Sequence, residues 1–282
     1  MESHDLFIFK HVAVLRSISK TAEKLGYVQP NISQRIKNLE EELGVRLFKR
    51  NNRGVTLTRD GEILLDYANR ILQLMDEAKI KINPDKWQER LVIGATQTIS
   101  ALKVPRILSS FLSVHHQINV KVRTDTTSML LEQVVYGEID GAFVTEPFDY
   151  SELKTVYTIP EKVSLISPKN HPDKMEYEQT LLVNSNPNCI YRKTLIHLSK
   201  KNSCNHLRII EFDSLEAILQ SVSDGLGVSL VPSDVAKLQK YQNEYKISEL
   251  PEPVQIDFVI KNKNQQPKGL NSFIKFLLEE KY

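Results

Sequence analysis

The segment from Gln29 to Leu39, QPNISQRIKNL, acquires two different faces when its residues are placed on a helix. One face is apolar, because its hydrophobic residues recur at steps of four, three and four, the spacing of a buried helical stripe. These residues are Ile32, Ile36, Leu39 and the following Leu43. The opposite face carries amides and cations, which can donate hydrogen bonds to base edges and phosphates. The segment therefore predicts a helix that packs on one side and binds a partner on the other.

A shorter helix is predicted immediately upstream of this segment. Ser19 can cap its beginning, Ala22 and Leu25 would point inward, and Gly26 supplies the left-handed position that ends it. Two helices joined by a tight glycine turn, the second with a polar outer face, are typical of a helix-turn-helix.

A basic β-hairpin is predicted after Gly44, which ends the second helix of the pair. The stretch from Arg46 to Arg59 has five basic residues and no acidic one, and Asn51 to Gly54 is typical of its turn. Such a hairpin tip beside a recognition helix can reach the sugar-phosphate backbone or a minor groove. Taken alone, it could equally be an ordinary solvated hairpin.

From Leu6 to Gly61 the chain resembles the LysR-type transcriptional regulators. The residues that carry this resemblance are Leu6-x-x-Phe9, Ser17-Ile18-Ser19-x-Thr21-Ala22-x-x-Leu25, Gln29-Pro30, Ser33, Ile36, Leu39-Glu40, Leu43-Gly44, Leu47-Phe48-x-Arg50, Thr56-x-Thr58 and Gly61. The order of strands and helices farther on, with Gly225-x-Gly227-Val228-x-x-x-Pro232, also resembles the family. Val28 departs from the pattern, since the family usually has a serine or threonine helix cap there.

Composition excludes little but limits the kind of binding. The chain has 282 residues, enough for two or three small domains, and its net charge is only +2. Any affinity for nucleic acid must therefore come from a local basic patch. The two cysteines fit a reducing compartment, and the sequence has neither a basic leader nor an apolar run of membrane length. We expect a cytoplasmic protein with no membrane partner.

A long helix is predicted from Arg59 to about Ile82, and its apolar residues follow a coiled-coil spacing. The predicted seam consists of Leu64, Ala68, Ile71, Met75, Ala78 and Ile82. A second copy of the same helix would cover this seam; the alternative is packing against the chain's own winged domain. The family resemblance implies an antiparallel dimerisation helix here. Asn83-Pro84-Asp85 breaks the helix and marks a hinge.

The remainder alternates strands and helices, which predicts parallel sheet with helices on both faces. Two such sets in succession indicate two lobes, and the resemblance implies an effector domain similar to periplasmic binding proteins. The expected fold class is a multi-domain α+β protein. Its predicted divisions are 1–58 (winged helix-turn-helix), 59–83 (dimerisation helix), 84–90 (hinge) and 91–282 (effector domain), with lobe I at about 91–160 plus 264–282 and lobe II at about 161–263.

Clusters of hydroxyl groups follow several predicted strands. Ligands of open parallel sheets bind at the carboxyl ends of strands, so we expect a small polar or anionic metabolite between the lobes. The candidate residues are Thr96, Thr98, Ser100, Thr126, Thr127, Thr145, Arg192 and Asp213. Each hydroxyl could instead simply cap a helix, and the arginine could be an ordinary surface residue.

The sequence has only poor catalytic and metal-binding patterns. The segment from Asp224 to Ser229 is not a dinucleotide loop, because it lacks a third glycine and runs into a strand. Cys189 with His197 and Cys204 with His206 lack the spacing of a structural zinc site. We expect no enzymatic activity and no cofactor, but an unidentified small-molecule effector.

The sequence and the resemblance together predict a regulator that binds inverted-repeat operator DNA as a dimer or tetramer and contacts RNA polymerase. Base contacts are expected from one group of side chains, Gln29, Pro30, Asn31, Ser33 and Gln34. Phosphate contacts are expected from a second group, Arg35, Lys37, Arg50 and Arg53, and Ser19 and Thr58 complete the DNA-binding set. The rival is a small-molecule-binding or enzymatic α/β protein with an incidental helical N-terminus.

Overall fold

The computed structural model describes residues 1–51, 54–83, 89–145, 148–169, 180–201, 208–237, 245–263 and 266–280. The helices are α1 (Ser3–Leu15), α2 (Ile18–Leu25), α3 (Gln29–Leu43), α4 (Arg59–Ile82), α5 (Gln97–Leu102), α6 (Val104–Val114), α7 (Thr127–Val135), α8 (Ile190–Lys201), α9 (Leu215–Ser223), α10 (Ser233–Ala236) and α11 (Lys268–Glu279). The strands are β1 (Phe48–Asn51), β2 (Gly54–Leu57), β3 (Arg90–Ala95), β4 (Asn119–Thr124), β5 (Gly141–Val144), β6 (Leu153–Glu161), β7 (Val163–Pro168), β8 (Thr180–Asn184), β9 (Arg208–Phe212), β10 (Ser229–Pro232), β11 (Tyr245–Glu249) and β12 (Val254–Lys261).

The N-terminal domain is a helix-turn-helix followed by a two-stranded antiparallel wing, β1 and β2. Of the predicted apolar stripe of α3, Ile32, Ile36 and Leu39 are buried in the domain core, whereas Leu43 is 38% exposed. Gly26 has the left-handed backbone that ends α2, as predicted. The cap of α2 differs from the prediction: the helix begins two residues earlier, and Ser17 accepts the hydrogen bond from a backbone amide.

The wing is held to α3 by a buried carboxylate. Glu40, near the end of α3, is only 7% exposed, and its Oε1 accepts hydrogen bonds from the amides of Leu47 and Phe48 at 2.8 and 3.2 Å. Its other oxygen accepts one from Arg46 at 3.0 Å. A carboxylate so satisfied offsets the cost of its burial and fixes the wing relative to the helix.

The first half of α4 packs on its own winged domain, which corrects part of the predicted seam. Ala68 is completely buried in the winged-domain core, and Leu64 and Ile71 are partly buried against it. The alternative of packing within the chain therefore applies to these three residues. Met75 and Ile82 of the seam are exposed, as are other large apolar residues of the helix, Ile63, Tyr67 and Leu74.

Lobe I is built on a five-stranded sheet in the order β4-β3-β5-β12-β6. The β3, β4 and β5 strands are parallel, as the alternating pattern predicts, but β12 runs antiparallel between β5 and β6. The predicted division, which placed 254–261 in lobe II, is therefore wrong for this strand. Two buried clusters, one on each face, cover the sheet.

Lobe II contains the three-stranded order β10-β7-β11 and the parallel pair β8 and β9. A parallel bridge between Leu181 and Val228 joins the two sets. The β7 strand is antiparallel to both of its neighbours, so this lobe is not the uniformly parallel unit that the alternation predicts. Helices α8 and α9 cover its two faces with separate apolar clusters.

Candidate nucleic-acid interface and effector cavity

The outer face of α3 carries most of the predicted base-reading residues. Gln29, Pro30, Asn31 and Gln34 are exposed, and Ser33 is half-buried. The burial of the opposite stripe fixes which way these side chains point, since successive residues of a helix turn through about 100° each. Ser19 lies beside them and donates a hydrogen bond to Gln29 Oε1 at 3.2 Å. The predicted base-contacting set is therefore brought together on one surface.

The predicted phosphate contacts divide into exposed and engaged residues. Lys37 and Arg50 are exposed. Arg35 instead forms an ion pair with Asp5 of α1 at 2.7 Å, where both side chains are partly buried. The Thr58 hydroxyl caps α4 by accepting a hydrogen bond from the Gly61 amide at 3.0 Å, and it donates one to the Arg46 carbonyl at 2.7 Å. Arg53 lies outside the described residues.

The beginning of α3 lacks a side-chain cap. Val28 occupies the cap position, is 69% exposed, and has no side-chain oxygen to accept from the first-turn amides. Pro30, in the first turn, has no amide to satisfy. An exposed apolar side chain therefore directly precedes Gln29 at the beginning of α3.

A cavity of about 590 Å³ lies where α5 of lobe I faces lobe II. Its lobe I wall consists of Gln97, Thr98, Ala101 and Leu102, and its floor is formed by apolar residues of the lobe II sheet and helices. Thr98 and Arg192 are the members of the predicted effector set that line it. Ligand cavities of this size typically combine apolar walls with a few polar groups.

The other predicted effector residues are not among those that line the cavity, and several of them have local hydrogen-bond partners. Thr126 caps α7 by accepting from Met129, and Thr127 is buried in the first turn of that helix. Ser100 accepts a hydrogen bond from Thr124 at 2.8 Å. Thr96 and Thr145 follow β3 and β5 and are half-buried, whereas Asp213 accepts a hydrogen bond from a nearby serine.

Arg192 lines the cavity but already has partners. Its guanidinium donates to the Asn184 carbonyl at 2.9 Å and forms an ion pair with Glu211 at 2.6 Å, and the side chain is only 15% exposed. It thus ties the ends of β8 and β9 together. A ligand carboxylate at this place would compete with Glu211 for the same charge.

Two bonds join the lobes beside the cavity. Gln97 donates from its amide to the Asp213 carbonyl at 3.0 Å. Lys103, which follows α5, lies 3.2 Å from Asp234 of lobe II, and it also lies 3.1 Å from Glu161 of lobe I. Burial raises the pKa of Glu161, and the neighbouring ammonium partly opposes that rise. These inter-lobe residues carried no sequence signal beyond their polarity.

A buried tyrosine also lines the cavity, and sequence reasoning missed it. Tyr191 is 7% exposed, its hydroxyl has no hydrogen-bond partner among the described residues, and burial raises its pKa.

Among all residues that the structure describes, no group of three or more His, Cys, Asp or Glu side chains could hold a metal ion. None of the helices described is long and apolar enough to cross a membrane.

A winged helix-turn-helix, a long helix and a two-lobed α/β domain enclosing a cavity define a class of protein, the DNA-binding regulators with a ligand-responsive domain. The chain belongs to the LysR family of bacterial transcriptional regulators, which are not enzymes. Residues 3–62 match the lysR-family bacterial regulatory helix-turn-helix, and residues 84–281 match the LysR substrate binding domain.

Relatives and solved structures agree with this assignment. The chain is 35% identical to the uncharacterized regulator YusT of Bacillus subtilis over 97% of this chain and 94% of the relative. It is 34% identical to the regulator CzcR of Bacillus cereus over 99% and 98%. Full-length OxyR from Pseudomonas aeruginosa has the same fold, with a TM-score of 0.69, 22% identity and coverage of 98% and 94%. CbnR in complex with its target DNA matches with a TM-score of 0.55, 22% identity and 99% of both chains.

Proposed function

We propose that this regulator recognises its operator sequence through the exposed amides of α3 and contacts the phosphate backbone of the DNA with Lys37 and Arg50. The single observation that supports this most strongly is the division of α3 itself: its apolar stripe is buried in the core, whereas Gln29, Asn31 and Gln34 are exposed. Gln and Asn side chains can bridge adenine, whereas Lys and Arg bind phosphate without reading sequence.

Arg35 takes a different role from the one its sequence position indicates. Because its guanidinium pairs with Asp5 at 2.7 Å, it holds α3 against α1 and sets the angle at which α3 enters the groove. Conversion of Asp5 to Asn should lower affinity for the operator and leave the dependence on salt nearly unchanged. In a second variant, Arg35→Met, a salt slope lowered by about one would instead assign a phosphate contact to Arg35.

A duplex selected from random sequence by the purified protein tests the proposal. Binding of this duplex should weaken steeply as salt rises, because each phosphate that the protein neutralises contributes about −0.9 to the slope of log K against log salt concentration. A duplex of scrambled sequence is the matched control. Equal affinity for both duplexes at every salt concentration would contradict sequence-specific reading by α3.

We propose that the effector occupies the cavity between α5 and lobe II. The walls support a ligand with a substantial apolar body, which revises the expectation of a small polar or anionic metabolite. Leu102, Leu182 and Leu195 supply apolar surface, and Gln97 and Thr98 supply polar groups at the lobe I side. An effector there would change the separation of the lobes and hence the arrangement of the paired winged domains, the DNA bend and contact with RNA polymerase.

Thermal-shift screening of the full chain against metabolites would find the ligand. Conversion of Ala101 to Trp should abolish the shift by filling the cavity, whereas conversion of the exposed Lys275 to Gln should not. Substituting Thr98 and Ser100 should weaken the response if the polar end of the ligand lies against α5. Retention of the full response in both the cavity-filled and the Thr98 variants would place the effector elsewhere.

We propose that the exposed face of α4 meets a second copy of the chain. Ile63, Tyr67, Leu74, Ala78 and Ile82 are all exposed, and at 3.6 residues per turn they lie within about 100° of one another. This face replaces the part of the predicted seam that is buried in the winged domain. Conversion of Leu74 to Glu should give monomers in sedimentation. The mutant remaining dimeric would remove this face from the interface.

A further inference from the structure

The winged domain and lobe I meet at Tyr136, which follows α7. Its ring is partly buried against the winged-domain core. Arg16, between α1 and α2, lies over this ring with its guanidinium carbon 5.3 Å from the ring centroid. The same guanidinium donates to the Tyr136 hydroxyl and to Glu132 of α7, both at 3.1 Å. Glu132 and Tyr136 are four residues apart, so one face of α7 receives the whole contact.

The backbone of Arg16 holds the wing. Its carbonyl oxygen accepts a hydrogen bond from the Val55 amide of β2 at 3.0 Å. Gly54 packs so closely on this carbonyl that any β-carbon there would collide with it. Arg16 has a left-handed backbone, with φ of 49°, and it is the one non-glycine residue with positive φ in the described ranges. One residue thus contacts the base of the wing with its backbone and lobe I with its side chain.

The long helix reinforces the same junction. Asn69 of α4 donates to the Tyr136 carbonyl at 3.5 Å, and the left-handed Gly137 lies against the Asn69 side chain. Lys261, at the end of β12, pairs with Asp66 of α4 at 3.4 Å. These contacts keep lobe I against α4, so that a displacement of α7 acts on Arg16 instead of separating the domains.

The other end of α7 lies beside the strand ends of lobe I. Thr126 caps this helix directly after β4, whose last residue, Thr124, is hydrogen-bonded to Ser100 of α5. The helix has 9 residues, which corresponds to a rod of about 13 Å. A rigid rod thus connects the region of lobe I next to α5 with the base of the wing.

We propose that Arg16 is a positioning residue for DNA binding, through which α7 sets the place of the wing on the duplex. Glu132 and Tyr136 are the lobe I side of this device. The claim that an effector acts through this contact rests on the proposed effector cavity between α5 and lobe II. Coupling between two sites is reciprocal, so DNA that engages the wing must in turn alter the stability of α7. This consequence can be measured without knowing the effector.

The decisive variant carries Glu132→Gln and Tyr136→Phe in the full chain. Both changes keep side-chain size, and neither residue belongs to the DNA-binding surface. In the unaltered protein, binding of the selected duplex should change amide hydrogen exchange across 127–135. In the variant this change should disappear, and affinity for the duplex should shift by about fivefold or more with the salt slope preserved. The melting temperature shows whether the variant is folded.

Glu279→Gln is the matched control, because it breaks an exposed ion pair with Lys275 of α11 and should alter neither measurement. Normal DNA binding without any change in α7 exchange in the unaltered protein would overturn the inference alone. Absence of any selectable duplex would overturn the proposed reading by α3 as well. Arg16→Gln separates the remaining possibility, because it removes the positive charge: a salt slope lowered by about one, with the double variant behaving like the unaltered protein, would make Arg16 a phosphate contact instead.

Discussion

The outer face of α3 and the cavity between the lobes are both binding surfaces, but they are built in opposite ways. Ile32, Ile36 and Leu39 lie within two turns of one helix, so a local repeat decides which side chains face outward. The cavity walls come from α5, β8, α8, α9 and β10, which are far apart in sequence. A surface made by one helix is readable from spacing, whereas a surface made by packing is not.

The largest difference between the two binding surfaces should appear when the apolar stripe of α3 is disrupted. Ile32→Ala removes a side chain that is completely buried, and we expect a loss of about 2–5 kcal/mol in unfolding free energy. DNA binding should disappear, while the effector domain, which has its own cores, should still melt normally. Calorimetry of the full chain should resolve this difference; Asn38→Ala, on the exposed side, is the control.

The cavity side of the comparison depends in part on a buried ion pair of lobe I, between Lys103 after α5 and Glu161 at the end of β6. Lys103→Met leaves Glu161, 3% exposed, without its ammonium partner, and we expect a loss of about 3–5 kcal/mol at neutral pH. Because burial already raises the pKa of Glu161, the stability contributed by this carboxyl is lost as pH rises through its folded-state pKa.

Removing the ammonium raises that pKa further, so the deficit of the Lys103→Met protein should shrink at acidic pH, where Glu161 is protonated. Urea unfolding at pH 5 and pH 7.5 measures the difference. Arg106→Met, which removes an exposed cation near the same Asp234, controls for loss of charge alone. A deficit independent of pH would show that Glu161 is not the source of the cost.

Base readout and backbone binding should separate on α3 itself. Gln29→Ala should cost about 1–3 kcal/mol at particular base pairs and little elsewhere. Lys37→Ala should instead weaken binding to all duplexes alike and lower the salt slope by about one. Titration of the selected duplex, single-base variants and scrambled DNA distinguishes the two patterns. The opposite assignment, with Lys37 selective and Gln29 uniform, would reverse the proposed roles.

The smallest expected effect concerns the beginning of α3. Val28→Ser supplies a side-chain oxygen for a first-turn amide and should stabilise the winged domain by about 0.5–1 kcal/mol. It also removes an exposed apolar group next to Gln29, so discrimination at one base pair should change. Val28→Thr keeps the methyl group and restores the cap, which separates the two effects. Denaturant midpoints and selection of duplexes by each variant provide the measurements.

The sequence was sufficient to predict the winged domain and the order of its helices and strands. The glycine turn, the wing and the apolar stripe all follow from local preferences. Tertiary partners within this domain were not predictable: Ala68 of the predicted seam is enclosed by the domain on which α4 rests, and Arg35 is paired with Asp5. A helical repeat shows that a stripe is apolar but not which surface covers it.

In the effector domain the sequence predicted two lobes but not how the chain is shared between them. The parallel relation of β3, β4 and β5 follows from their helical connections, whereas the insertion of β12 depends on pairing between distant segments. Hydroxyls after strands were correctly recognised as polar clusters, yet Thr126 caps a helix. Their common pattern cannot distinguish a capping residue from a ligand-binding one.

The position of β12 has a consequence for synthesis of the chain on the ribosome. Because this strand lies between β5 and β6, the sheet of lobe I stays divided until residues 254–261 have emerged. The core of the winged domain, complete by about residue 68, can fold long before residues 254–261 are synthesised. The strands of lobe II can also form while the sheet of lobe I is still incomplete. Nascent chains that stop before Val254 should therefore combine a folded winged domain with an incomplete, aggregation-prone lobe I sheet. We expect a cell to degrade such chains quickly.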